Sequence, residues 1–392
     1  MKIRKLSSVV LFLAPVLAGM FLLSPGPVAA KTLKIGVIAP LSGPAAPWGK
    51  SWVEALELAT DDLEKAGGLK IKGEKYDVKI IPYDDKYSGA AGVQAANRLI
   101  SVDKVDIIFG STGSAVVLAV APITEKAKAL VFCNSYTEKA LSPNTQYHFR
   151  VIQTNTETAP LLVPYVVKKH GIKTVAIIGP NDESGQSLST VDFELYKKLG
   201  VKVVYNEYYE RSQKDFYSQM TKIMSMKPDL IDTSASALGT TGLLAKQARD
   251  LGFKGPFITT AGIYPDPIVE VAGKSADSFY YANQADMSSK DPEMVNFMKK
   301  YRQRYGKDCD KWATVCYYGI AHVLFQQIAK NNSADPTVLK NAFEKLGKFK
   351  TIAGAMRFGG KATYGIDHQI MGPIWIANIK NGKEEIIRKV SE

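Results

Sequence analysis

The sequence has little of what enzymes and metal sites draw on. Its four histidines are His148, His170, His322 and His368, and its three cysteines are Cys133, Cys309 and Cys316. Apart from the neighbouring pair Asp367-His368, no histidine stands at a metal-ligand spacing from another ligand-type residue. No metal and no cofactor are therefore expected. A hydrolase elbow, Gly-x-Ser-x-Gly, is missing: Gly185-Gln186-Ser187-Leu188-Ser189 fails at its last position. Gly43–Ser51 imitates a phosphate loop, but the glycine spacing is one too long, and Pro44 and Pro47 remove N–H donors. Asp61-Asp62 and Asp84-Asp85 read as solvated faces or caps. No catalytic set emerges, so the chain is read as a non-enzyme. An exported hydrolase using Ser184 or Ser187 is the lesser alternative.

Other shortages exclude further classes. No basic run alternates with aromatics, and the lysine pairs Lys168-Lys169, Lys197-Lys198 and Lys299-Lys300 sit near acidic or polar neighbours. Nucleic acid is not an expected partner. The net charge of +12 still favours anionic ligands weakly. Cys133 lies in an apolar run and is expected to be a buried thiol. Cys309 and Cys316 on one helix would stand about 10 Å apart along its axis, too far for a bridge; a bridge is open only if Cys309 precedes the helix.

The N-terminus reads as a leader. Lys2, Arg4 and Lys5 are followed by an uncharged stretch from Leu6 to Ala30, apolar from Val9 to Leu23 and broken by Ser24-Pro25-Gly26-Pro27. This is the pattern of a secretory signal peptide, cut after Ala30. The apolar stretch falls short of the ~20 residues a membrane span needs. A soluble, exported, periplasmic protein is expected. The remainder is too long for one ordinary domain and suits two.

That remainder alternates strand and helix patterns. Strands are expected at 33–39, 77–82, 105–109 and 129–133, with helices at 48–65, 89–102 and 115–128. Pro122 is expected to kink or interrupt the last of these. A second series runs from a helix at 158–170 to a strand at 256–260. A strand at 278–282, helices at 292–305, 311–330 and 337–346, and a strand at 373–379 close the chain. The fold class is α/β, with two parallel-rich, helix-covered sheets. Open sheets of this kind bind ligands at the carboxyl ends of their strands. Those ends carry the polar loops 42–48, 110–114, 134–137, 180–185, 234–238 (with Ser236) and 259–264. In the second of them, Gly110-Ser-Thr-Gly-Ser114 joins an apolar strand to a helix. A helix start is a ready anion site, and Ser114 can cap the helix or donate to a bound carboxylate.

The opening Lys34-Ile-Gly-Val-Ile-Ala-Pro-Leu-Ser-Gly-Pro44 resembles that of type I periplasmic binding proteins, more narrowly the leucine/isoleucine/valine-binding receptors of ABC importers. Further matches follow in order: Lys65-Ala-Gly-Gly68, Tyr83-Asp-Asp85, the 110–114 turn, Pro122-Ile-Thr-Glu125, Asp215-Phe216, Lys227-Pro-Asp229, Gln247-Ala-Arg249 and Tyr317-Tyr-Gly319. The resemblance implies two Rossmann-like lobes that close on a ligand. Lobe one would hold 31–150 and 283–365, and lobe two 153–280 and 369–392. Crossings are expected at 150–152, 280–283 and about 364–370.

The resemblance also implies roles. Ser114 would hold a ligand carboxylate. Ser135 and Thr137 would hold the α-ammonium and carboxylate. Trp48 would cover the ligand, and Trp312 would approach the cleft; the alternative for both is simple packing. Ser184 stands where a tyrosine is expected, and Ala261 where an acidic residue should meet the ammonium. Asp182, Glu183 or Asp232 could substitute for that acid. These departures point to a carboxylate without an ammonium, such as an aromatic or branched oxo acid. The implied partners are this small molecule and a membrane permease, with the receptor a monomer. A ligand-sensing domain that signals without transport is the main alternative.

Overall fold

The computed structural model describes residues 30–309 and 311–390. The leader and its expected cut lie outside the described residues, Ala30 apart. The first part of the chain forms β1 (Lys31–Ala39), α1 (Ala46–Lys65), β2 (Leu69–Ile71), β3 (Glu74–Asp84), α2 (Gly89–Arg98), β4 (Ile107–Gly110), α3 (Ser114–Ala127), β5 (Leu130–Cys133) and β6 (His148–Arg150). The second forms α4 (Asn155–His170), β7 (Thr174–Pro180), α5 (Glu183–Lys198), β8 (Lys202–Tyr209), α6 (Tyr217–Ser225), β9 (Leu230–Asp232), α7 (Leu238–Asp250), β10 (Phe257–Ile258), α8 (Asp266–Ala272) and β11 (Phe279–Asn283). The third contains α9 (Pro292–Tyr305), α10 (Trp312–Asn331), α11 (Pro336–Glu344), β12 (Phe349–Thr351), β13 (Gly354–Gly359), α12 (Lys361–Tyr364), β14 (Gln369–Met371), β15 (Ile374–Lys380) and β16 (Lys383–Val390).

Two sheets result. The first runs β12-β13-β14-β6-β5-β4-β1-β3-β2, and the second β16-β15-β11-β10-β9-β7-β8. The centres of both are parallel; antiparallel strands finish both edges of the first and the β16 edge of the second, whose other edge strand, β8, runs parallel to β7. This is the type I periplasmic binding protein fold. The strand order reverses between β1 and β4 in the first sheet and between β7 and β9 in the second. Loops leaving these four strands face one cleft, as expected for a topological switch point.

The crossings differ in detail from the expected ones. β14 pairs with β6 and β13, so it belongs to the first sheet, whereas β15 pairs with β11 in the second. The last crossing therefore falls at Gly372-Pro373, beyond the expected 364–370. β11 carries the second sheet through Asn283. Pro122 does not interrupt α3, which continues to Ala127. Cys309 precedes α10, yet it and Cys316 remain separate buried thiols.

Packing explains why the late helices return to lobe one. α10 is apolar on nearly all sides, and such a helix must be enclosed. It is buried almost throughout and lies along α1. Trp52 of α1 stacks on Tyr317 of α10 with ring centroids 3.4 Å apart and an interplanar angle of 6°. At the margin of this interface Tyr301 donates to Glu54 at 2.7 Å, and Tyr318 donates to Asp62.

The two lobes repeat one close approach. In α1, a Cβ on Gly49 would lie 2.0 Å from the Pro40 carbonyl oxygen; in α5, one on Gly185 would lie 2.0 Å from that of Pro180. Each glycine lets its helix sit directly on the end of the strand before it. Asp182 caps α5 at the same place, accepting from the Gly185 N–H at 3.0 Å. Alanine at either position forces backbone apart, and overpacking of this kind costs roughly 1–3 kcal/mol. Gly49→Ala and Gly185→Ala are expected to lower the urea midpoint accordingly, each in its own lobe. An unchanged midpoint in both variants would contradict the close approach.

Candidate functional site

The cleft encloses a cavity of about 330 Å³. Lobe one supplies the loop after β1 (Ser42–Ala45), Trp48, Lys86, Tyr87, Thr112, Asn134 and Tyr136. Lobe two supplies Ser184 at the start of α5, Tyr209, Arg211, Lys214, the loop 235–237, Thr240 and Gly262. Lobe-one residues are braced from behind. The Trp52 indole N–H donates to Thr112 at 3.0 Å, and the Asn134 side-chain amide donates to Tyr317.

Of the residues expected at the site, Trp48, Ser184 and Ser236 line the cavity. Trp48 is half-buried and leans on Tyr264, with centroids 5.1 Å apart. Ser236 donates to the Thr233 carbonyl. Ser114, Ser135 and Thr137 form a buried layer directly behind the cavity wall. Ser114 does not cap its helix: Gly113 is the N-cap, without a side-chain bond. Instead the Ser114 hydroxyl oxygen receives Ser184 Oγ at 3.0 Å, Ser135 Oγ at 3.2 Å, and the N–H groups of Tyr136 and Thr137 at 3.2 and 3.3 Å. Four donors thus converge where one hydroxyl offers two lone pairs. Such a surplus suits an oxygen carrying negative charge. Ala261 is buried beside Gly262 and presents no acid. Trp312 is buried beneath Gly262, with its ring so close that a Cβ there would lie 2.3 Å from it. It supports the floor and does not line the cavity, which corrects its expected position; its place at the first turn of a helix buried almost throughout decides this.

A buried arginine sets the turn 135–137. Arg150 donates to the carbonyls of Ser135 and Thr137 at 3.2 and 2.9 Å, to Gln369, and lies over the Tyr364 ring at 4.6 Å. With those carbonyls held, the Tyr136 and Thr137 N–H groups of the same turn face Ser114.

The cations of the cavity were not singled out from the sequence. Lys86, Arg211 and Lys214 all line it, and no carboxylate does. Arg211 pairs with Asp182 and stands over the Tyr87 ring at 5.1 Å. Burial draws the Arg211 pKa down, but Tyr87 and Asp182 outweigh it and hold the guanidinium charged. The three acids that could have met an ammonium are engaged elsewhere. Asp182 holds Arg211 and caps α5. Glu183 accepts from Thr137 at 2.8 Å and Lys139 at 3.0 Å; burial opposes its charge, yet these bonds keep its carboxyl below the ordinary range. Asp232 is fully buried, bonded by Tyr196 at 3.0 Å and the Ser234 N–H at 2.8 Å.

Several contacts already cross the cleft. They are Ser184 to Ser114, Glu183 to Thr137 and Lys139, Gly262 N–H to the Tyr136 hydroxyl at 3.1 Å, Arg211 over Tyr87, and Trp48 on Tyr264. Two lobes gripping one cavity at their switch points define a solute-binding protein. The chain belongs to the Periplasmic binding protein family, which it matches over residues 32–384. An amino acid binding protein of Pseudomonas aeruginosa is 28% identical over 244 residues, spanning 61% of this chain and 63% of that protein. A leucine-binding protein of Thermotoga maritima superposes with a TM-score of 0.81 at 22% identity, covering 92% of this chain and 99% of that one. A solute-binding protein of an ABC transporter from R. palustris, in complex with 4-hydroxybenzoate, superposes with a TM-score of 0.79 at 22% identity, covering 92% and 98%. The proteins it resembles bind solutes and are not enzymes. Ser187 donates to Glu183 at 3.4 Å.

Two predictions follow from this geometry. Ser114→Ala removes the oxygen on which four donors converge, and a hydrogen bond to a charged group contributes roughly 1.5–3 kcal/mol. Titration with a carboxylate should show about tenfold weaker affinity or more, with the variant still folded but lower in melting temperature, because buried donors lose their acceptor. Normal binding would reduce Ser114 to a packing residue.

The second concerns the buried carboxyls behind the lobe-two loops. Burial pushes Asp232 up to about 7, and burial together with the charge of Asp232 pushes Asp192 well above its ordinary range. The folded state therefore holds protons that the unfolded chain, with carboxyls near 4, has released. Their contribution to stability falls as pH rises from about 4 to about 7. Burial holds all four histidines below their ordinary range, which tilts stability the other way near neutrality. The informative quantity is therefore a difference. Between pH 5 and 8, wild type should lose stability relative to Asp232→Asn, by at most about 1.4 kcal/mol per pH unit for one proton. Parallel pH profiles would show that the pair is ionised throughout.

Proposed function

We propose that this chain is the exported, monomeric solute receptor of an ABC importer, and that its ligand is a small carboxylate without an ammonium group, of the aromatic or branched oxo-acid type. The observation that carries this reading is the charge of the cavity: Lys86, Arg211 and Lys214 line it and no acid does. An amino acid would bring an ammonium into this space, and burying it unpaired is costly. A lone carboxylate meets both the cations and the donors converging at Ser114. Tyr87, Tyr136 and Trp48 offer aromatic faces for an apolar body. The related protein that holds 4-hydroxybenzoate carries the same ligand chemistry. A permease is the corresponding partner, receiving the ligand from the closed receptor. Ser135 and Thr137 act from the buried layer, by shaping the donor cluster.

Isothermal titration of the full mature chain with benzoate, 4-methyl-2-oxopentanoate and leucine tests the ligand class. The acids without an ammonium are expected to bind at least tenfold more tightly than leucine. Tighter binding of leucine, isoleucine or valine would overturn the reading and restore an amino acid as the ligand.

A further inference from the structure

A second, mainly apolar hollow of about 350 Å³ lies against the outer side of Trp48. Pro47 borders it from lobe one; Leu238, Leu243, Tyr264, Pro267 and Val271 border it from lobe two. It is not a separate surface feature. Pro44, Trp48, Lys214, Ala237 and Thr240 line both this hollow and the inner cavity. Trp48 therefore stands between the two hollows, at the seam where Pro44 of one lobe and Ala237 and Thr240 of the other border both. The inner cavity alone is ample for a single-ring acid, and the outer hollow roughly doubles the space.

We infer that the ligand carries an apolar tail, and that this tail passes Trp48 through the lobe seam to rest in the outer hollow while its carboxylate stays in the inner cavity. The inference rests on the anion reading of the inner site and adds the tail to it. The chemistry fits at both ends. The inner chamber holds the cations and the donors at Ser114. The outer one is bordered chiefly by proline, leucine, valine and tyrosine, and its charged residue, Lys214, is shared with the inner chamber. A tail lying there bridges both lobes, so it would be gripped only when they approach. Differential contact of this kind favours the closed arrangement.

A series of phenylalkanoates separates the possibilities. Benzoate, 3-phenylpropanoate and 5-phenylpentanoate are titrated into the full mature chain and into Val271→Asp. Val271 is 38% exposed, so the substitution leaves the core alone. In wild type, affinity should rise about fourfold for each methylene that becomes seated. In Val271→Asp, the ratio of long-tail to short-tail affinity should fall towards one. Equal affinity across the series in wild type overturns the tail inference and leaves the inner anion site standing. A rise with length that survives Val271→Asp also overturns it, because the tail then lies elsewhere. Failure of every acid to bind removes the anion reading, and the tail inference with it.

Discussion

The buried guanidinium of Arg150 is the contact on which the site's geometry depends. It ends β6, fully enclosed, where the chain leaves lobe one for the first time. Its hydrogen-bond partners are the carbonyls of Ser135 and Thr137 and the side chain of Gln369; no carboxylate is bonded to it among the described residues. Gln369 in turn donates to the Ile152 carbonyl at 2.7 Å, tying the first crossing to the segment that precedes the last. A buried cation without an acid is costly to hold. Here the cost sustains two things at once: a turn whose N–H groups face Ser114, and a positive potential behind a cavity already lined by cations. Both favour an anion.

The contacts across the cleft show how closure is balanced. Ser184, Glu183, Gly262 and Arg211 of lobe two each meet a lobe-one residue directly. Each is a modest interaction, because a typical hydrogen bond contributes only about 0.5–1.5 kcal/mol net. Together they favour approach of the lobes without making it irreversible, and a ligand touching both sides can shift the balance. The Gly49 and Gly185 approaches keep the moving parts stiff. Each seats its helix directly on its strand end, which stiffens the edge of the lobe that faces the cleft.

The fold was legible wherever burial on both faces of a parallel sheet wrote a continuous apolar run, as in β4, β5 and β7. Edge elements were not. β16 sets its charged and apolar residues in pairs (Glu384-Glu385, Ile386-Ile387, Arg388-Lys389), and β12 to β14 are short, so neither leaves a strong periodic signal. Position in β14 also moved the last crossing, since only pairing with β6 reveals which sheet Gln369 joins. At the site, Trp48, Ser184 and Ser236 could be placed because they lie in the loops or first helical turns that follow strand ends. Lys86, Arg211 and Lys214 could not: they are ordinary loop cations until two segments far apart in sequence come face to face. Arg150 was readable only as part of a linking strand, because its role lies in carbonyls more than ten residues away.

The return of α10 to lobe one has a consequence for the order of assembly. Tyr318 meets Asp62 across 256 residues of chain. A polypeptide emerging from its N-terminus presents α1, with the Trp52 face bare, long before its covering helix exists. Lobe one therefore cannot complete its core while the chain is being made, and exposed apolar surface of this kind invites aggregation in an unfinished protein. Lobe two lacks only its last two strands at the same stage. The two halves of the trap are thus unequal in timing although alike in architecture, and the half that appears first must wait for most of the chain before its core is closed.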